Sequence, residues 1–258
     1  FADQRIFAGI IDLHSHGYRS WSAKTIDKAE IQGLSKILPS IGVTATLATT
    51  SGWKAHEMEM LSAIAEALDE GVTGARILGI HMEGPFFNPD KHNATPREEV
   101  ILPSVEKCEA YWQAARGKIK YMTLAPEMPG AVETIHWLRE HGIVAGAGHT
   151  LADDEQMRQA VRNGIQVSIH TGNAMRQIDR RDIGALGAAL LDPEVVCEII
   201  CDFYHLAPRM LEIMFRIKPM SRFIMISDSG PMSGLPAGVY TIRGHKRTIS
   251  EAGLVLLE

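Results

Sequence analysis

Eight short, apolar, β-branched runs punctuate the 258-residue chain, and a helix-sized stretch separates each from the next. They predict strands over residues 6–14, 43–50, 75–83, 118–127, 143–149, 165–170, 194–202 and 222–228. Helical patterns fill most of the gaps. One starts at a Thr25 cap and closes near Gly42; others cover 53–70, 104–115, 131–141, 153–163 and 208–217, with a looser stretch after His170. Strand, helix, strand in this rhythm requires parallel strands joined by crossovers. Eight such units predict an α/β protein of the (β/α)8, TIM-like barrel type, with a doubly wound open sheet as the competing topology. A barrel over 1–235 and a β-rich insertion or hairpin over 236–258 is the expected division. No eighth helix is legible and the chain opens on Phe1, so the barrel reads as truncated at both ends.

Composition narrows the function classes. With 45% hydrophobic and 22% charged residues, the chain has material for a large core. A formal charge of −5 offers nothing to nucleic acid or an anionic membrane surface, so neither is an expected partner. Three cysteines make no disulfide framework, and no apolar run reaches the roughly 18 residues that would span a bilayer. A reducing cytoplasm is the expected setting. Neither GxSxG nor a GxxxxGK[ST] phosphate loop occurs.

The eleven histidines are not scattered evenly. His14 and His16 close the first predicted strand, Glu83 the third, His149 the fifth, His170 the sixth and Asp228 the eighth. Period-2 spacing puts His14 and His16 on one side of their strand. In a parallel barrel all these ends share one face, where the active sites of such folds lie. Imidazoles and carboxylates converging there suit a divalent transition metal, zinc or iron, at one or two ions per subunit. His81, two residues before Glu83, faces the same way and reads as a supporting group. His56, His136, His141 and His245 fall in helices or turns and carry no such reading. Asp153 and Asp154 are explained by a helix N-terminus.

The segments that bear these residues are IDLHSHG (11–17), HMEGPFFNPDKHNATP (81–96), LAPE (124–127), GHTLAD (148–153), HTGNAM (170–175) and ISDS (226–229). In this order they resemble the N-acetylglucosamine-6-phosphate deacetylase family of the amidohydrolase superfamily, over nearly the whole chain. The resemblance implies a metal-dependent hydrolase barrel whose small β domain is largely missing here. Glu83, His149 and His170 match metal ligands, and His14 and His16 match a pair that some members use for a second metal. Asp228 matches the proton acceptor and donor. Ala94, Thr95, Asn173, Ala174, Arg181 (in RRDIG) and His205 (in DFYH) match positions that contact the sugar phosphate. Thr95 stands where the family usually carries histidine. The implied reaction removes acetyl from N-acetylglucosamine 6-phosphate, with His205 or His81 assisting the oxyanion, in a homodimer. A deacetylase of another amino-sugar phosphate, such as N-acetylgalactosamine 6-phosphate, or an N-acyl-amino-acid deacylase is the alternative.

Overall fold

The computed structural model describes residues 5–242 and 245–257. Eight parallel strands hydrogen-bond in chain order: β1 (Ile10–Ser15), β2 (Val43–Ser51), β3 (Arg76–Glu83), β4 (Ile119–Leu124), β5 (Val144–Ala147), β6 (Val167–Ser168), β7 (Val196–Ile200) and β8 (Phe223–Ile226). The circle is nearly closed. Ser15 pairs in parallel with Ser229, the amide of His16 donates to the Ser229 carbonyl at 2.8 Å, and the Asp228 amide donates to the His14 carbonyl at 2.9 Å. Asp12 reinforces this seam by accepting from the Ser227 hydroxyl at 2.6 Å. The expected barrel is therefore present, and its closing contacts lie at the rim that carries His14, His16 and Asp228.

Among the described residues, seven α-helices pack around the strands: α1 (Lys28–Ile37), α2 (Glu57–Glu70), α3 (Val105–Ala114), α4 (Ala131–Glu140), α5 (Asp154–Asn163), α6 (Gly184–Leu191) and α7 (Pro208–Ile217). After β8 the chain instead makes a three-stranded antiparallel sheet of β9 (Gly238–Ile242), β10 (His245–Ile249) and β11 (Val255–Leu257). The side chain of His245 lies outside the described residues. Between strands and helices runs the main core, which includes Ile31, Leu34, Ile64, Ile80, Met122 and Leu138. Inside the barrel, Leu47, Tyr121, Val167 and Ile169 form a second, smaller cluster. Among the described residues, no helix is long and apolar enough to cross a membrane.

Several boundaries differ from expectation for local reasons. The first strand begins at Ile10, not residue 6. Asp27 caps α1 by accepting from the Ala29 amide; Thr25 instead accepts from the Asp27 amide and shapes the preceding turn. Residues 54–56 are a turn, so α2 begins at Glu57. The loose stretch after His170 conceals α6, GALGAALL, buried at all of its positions but the last, Leu191. A helix with no solvent face shows no amphipathic period. Asp153 does cap α5, in a reciprocal arrangement with Gln156.

The core makes a direct stability test. Ile64 on α2 is completely buried. Ile64→Ala is expected to cost about 2–5 kcal/mol, read as a lower urea midpoint with an unchanged slope. A loss well under 1 kcal/mol would mean that the helix layer collapses around the deletion.

Candidate metal centre

Four imidazoles and two carboxylates meet above the C-terminal ends of the strands. Glu83, the last residue of β3, is the hub. Its Oε1 lies 3.1 Å from His149 Nε2, 3.1 Å from His170 Nε2 and 3.4 Å from His14 Nε2. Its Oε2 lies 3.1 Å from His16 Nε2. Asp228 Oδ1 is 3.4 Å from His14 Nε2 and 3.3 Å from His16 Nε2. His14, Glu83, His149 and His170 are buried, whereas about a quarter of the Asp228 side chain remains accessible. Asp228 is thus the carboxylate of this group that an incoming molecule meets first.

The backbone aims these groups by leaving the strands. β5, β6 and β8 end before His149, His170 and Asp228, so the expectation that these residues belong to the strands is corrected. Each instead sits at positive φ, at 51°, 28° and 50° respectively. Such left-handed geometry is costly for a residue bearing a Cβ and persists only where surrounding contacts impose it. Here the Asn88 amide donates to the His149 carbonyl at 2.9 Å, and the Thr150 amide donates to the Ala174 carbonyl at 3.0 Å. Glu127, from the LAPE segment, ties the same turn by accepting from the Leu151 amide at 2.6 Å and from Asn88 Nδ2 at 2.9 Å.

The outer ring nitrogens decide what the inner ones can do. His149 Nδ1 donates to the Lys91 carbonyl at 2.7 Å, His16 Nδ1 to the Thr49 carbonyl at 3.1 Å, and His14 Nδ1 to Glu198 Oε2 at 3.0 Å. An Nδ1–H bond of this kind leaves the Nε2 of a neutral ring with a lone pair. Three such lone pairs then face carboxylate oxygens, and His149 Nε2 also lies 3.2 Å from His170 Nε2. Only positive charge makes that stable, supplied by protons or by a cation. Burial works against charging His16, yet hydrogen bonds to Asp228 and Glu83 push it up to about 9. Burial likewise opposes charging His14, and Asp228 and Glu83 still raise it well above the usual imidazole range. For Glu83 burial opposes ionisation, but His14 and the other imidazoles hold it well below the usual carboxylate range. The donors fall into two sets, His14–His16–Glu83 and Glu83–His149–His170, whose ligand atoms all lie within 4.8 Å of one another in each set. Nitrogen and carboxylate oxygen are the donors that zinc and iron(II) take, and the sets share Glu83.

The amidohydrolase family profile matches residues 5–238 of the chain. The chain belongs to the amidohydrolase family. It is 35% identical to the N-acetylglucosamine-6-phosphate deacetylase of Bacillus subtilis (strain 168), over 96% of this chain and 64% of that protein. It is 28% identical to the N-acetylgalactosamine-6-phosphate deacetylase of Escherichia coli O157:H7, over 92% of this chain and 63% of that protein. A mutant N-acetyl-D-glucosamine-6-phosphate deacetylase from Mycobacterium smegmatis, solved in complex with N-acetyl-D-glucosamine-6-phosphate, superposes with a TM-score of 0.90 at 28% identity, covering 97% of this chain and 65% of that one. The chain therefore spans just under two thirds of these relatives.

In this amidohydrolase the metal-ligand candidates converge, while the expected substrate contacts spread around the rim. Asn173 and Ala174 follow His170 directly, with the Asn173 amide donating to the His170 carbonyl at 2.9 Å. Ala94 is exposed and Thr95 buried, on the loop that also carries Lys91; the Thr95 carbonyl accepts from His92 Nδ1 at 2.6 Å. His205 is held by Asp202 at 2.7 Å. Arg181 is exposed and lines a cleft of about 540 Å³ among Asp153, Asp154, Asp179 and Asp182. Among the described residues, no hydrogen bond or ion pair joins Ala94, Thr95, Arg181 or His205 to the metal-ligand cluster.

His81 is a partial correction. It supports the site from beneath, edge-on to His14 with ring centroids 4.6 Å apart. Its Nε2 contacts the Thr123 hydroxyl at 2.8 Å and its ring stacks on Tyr121. It is completely buried, and burial next to His14 drives its pKa well below the usual range, so it is a neutral packing group with no access to a substrate oxyanion. The other histidines stay peripheral: His56 pairs with Glu59, His136 with Asn163, and His141 stacks on Trp137. Asp12, Tyr121 and Glu198 were not singled out from the sequence. The available signal was a lone carboxylate inside an apolar strand, as in VCEII of β7.

Proposed function

We propose that this amidohydrolase removes the acetyl group from N-acetylglucosamine 6-phosphate, giving glucosamine 6-phosphate and acetate. The observation that carries the reading is a partly accessible carboxylate, Asp228, set against the convergent His/Glu cluster. The names of the relatives and the bound sugar phosphate in the Mycobacterium smegmatis structure support the substrate class. Glu83, His149 and His170 would hold one divalent metal, zinc or iron, and His14 and His16 would hold a second with Glu83. When bound, such an ion supplies Lewis-acid polarisation of an amide carbonyl and of water.

The chain's own residues do the rest. Asp228 is ionised because His14 and His16 outweigh the effect of its burial, so it is ready to accept a proton from water as the amide carbon is attacked. The same oxygen then returns that proton to the amine nitrogen as the carbon–nitrogen bond breaks, which balances hydrolysis to amine and acetate. Arg181 and Asn173 bind the phosphate, with Ala94, Thr95, Ala174 and His205 around the sugar. Remote binding of this kind orients the acetamide at the reacting centre. The deciding experiment measures acetate release from N-acetylglucosamine 6-phosphate alongside elemental analysis of the same preparation. No acetate from a metal-replete protein would overturn the proposal.

Thr95 and the Escherichia coli relative favour one second reading, a deacetylase of N-acetylgalactosamine 6-phosphate. The ratio of kcat/KM for the two epimers separates them. Arg181 makes a further test. Arg181→Ala is expected to raise KM for the phosphorylated sugar about 10-fold or more and to leave the unphosphorylated analogue nearly unchanged, because guanidinium–phosphate hydrogen bonds are charge-assisted. Equal changes for both substrates would assign Arg181 to loop structure instead.

A further inference from the structure

We propose that Glu198 is a positioning residue of this centre: its carboxylate commits His14 to the tautomer that presents Nε2 to a cation in the His14–His16–Glu83 set. The proposal rests on reading the cluster as a metal centre. Glu198 lies on β7, on strand positions far in sequence from every other member, and is completely buried. Its Oε2 accepts from His14 Nδ1 at 3.0 Å and from the His170 amide at 3.3 Å. Its Oε1 accepts from the Tyr121 hydroxyl at 3.0 Å.

Each of these contacts has a direction. Burial and the neighbouring Glu198 push the Tyr121 hydroxyl well above its usual range, so it stays protonated and donates. The His170 group is a backbone amide and can only donate. The carboxylate therefore accepts everywhere, and His14 must place its proton on Nδ1. Among the described residues, the only ion pair Glu198 makes is with His14. A buried carboxylate without a full positive partner is costly, and hydrogen bonds from neutral donors offset only part of that cost. The bond to Oε2 fixes the His14 proton on Nδ1 and leaves Nε2 facing the space between Glu83 and Asp228.

The bland alternative is that Glu198 merely ties β7 to β1, β4 and the turn after β6. Two variants separate the roles. In Glu198→Gln the amide oxygen can still accept from His14 and His170 while the NH2 group donates to the Tyr121 oxygen, so the tautomer survives. In Glu198→Leu the acceptor is gone. Zinc binding is measured by competition with a chelator, resolving the first and second equivalents per chain, together with thermal melts followed by circular dichroism. Glu198→Leu is expected to weaken the second equivalent about 10–100-fold and leave the first within a few-fold, with Glu198→Gln recovering most of the loss. A structural tie would weaken both equivalents together with the melting temperature, without selective rescue. Should Glu198→Leu fail to fold, Glu198→Asp replaces it: it withdraws the carboxylate by one methylene and is expected to show the same selective loss. An unchanged second equivalent in the folded variant overturns the proposal for Glu198 alone, as does a wild-type protein that takes up a single zinc. No zinc on the wild type at all overturns the metal-centre reading.

Discussion

Asp228→Asn is expected to lower kcat by at least about 10²–10⁴-fold while KM and metal content change little. The size of the effect follows from the double duty proposed for this carboxylate, which would take a proton during attack and deliver it during departure of the amine. Asparagine is the informative substitution for a backbone reason as well. Position 228 sits at a φ of 50°, and its amide donates to the His14 carbonyl at 2.9 Å. Asparagine tolerates the left-handed region better than most residues, so the rim turn and its seam contact should survive. Alanine there would mix lost chemistry with backbone strain. Near-normal turnover in Asp228→Asn would remove Asp228 as the base. Loss of metal in parallel with activity would make it chiefly a ligand, and the proton would need another carrier.

The parts of this site legible in the sequence are those set by short-range periodicity. His14 and His16, two residues apart, come together as alternation predicts, with ring centroids 5.4 Å apart, although β1 ends at Ser15 and His16 already lies one residue beyond it. Glu83 was legible as the polar end of an apolar run. Parallel topology then places all strand ends together, which is why the sequence alone groups residues as distant as His14 and Asp228. What lay beyond reach depends on contacts made across the barrel. The left-handed turns at His149, His170 and Asp228 are imposed by partners such as Asn88, Ala174 and His14, and no local pattern encodes them. Helix α6 escaped because uniform burial removes the amphipathic signal. Glu198 escaped because its significance lies in Tyr121 and His14, 77 and 184 residues away. Arg181 shows the opposite limit: the role proposed for it rests on resemblance, and its surroundings of Asp153, Asp154, Asp179 and Asp182 say nothing of phosphate on their own.

Glu83→Gln is expected to be the most damaging single change at the centre, reducing both zinc equivalents and activity together. The geometry gives the reason. Glu83 is common to both donor sets, with Oε1 facing His14, His149 and His170 and Oε2 facing His16. Glutamine retains the length and one oxygen but carries no charge and turns an NH2 group toward at least one imidazole. Where that imidazole has its Nδ1 proton committed to Lys91, Thr49 or Glu198, its Nε2 lone pair would accept a hydrogen bond from the amide and be withdrawn from coordination. Loss of an outer partner typically costs 10–100-fold in metal affinity. Removal of a shared, charged ligand should therefore exceed about 100-fold for each equivalent. His16→Gln makes the contrast, since it belongs to one set and should spare the equivalent held by Glu83, His149 and His170. Elemental analysis after dialysis against limiting zinc, paired with acetate release, reads both variants. If Glu83→Gln retains one tightly bound ion per chain while His16→Gln loses it, the shared-ligand assignment is wrong and the ion belongs to His14 and His16.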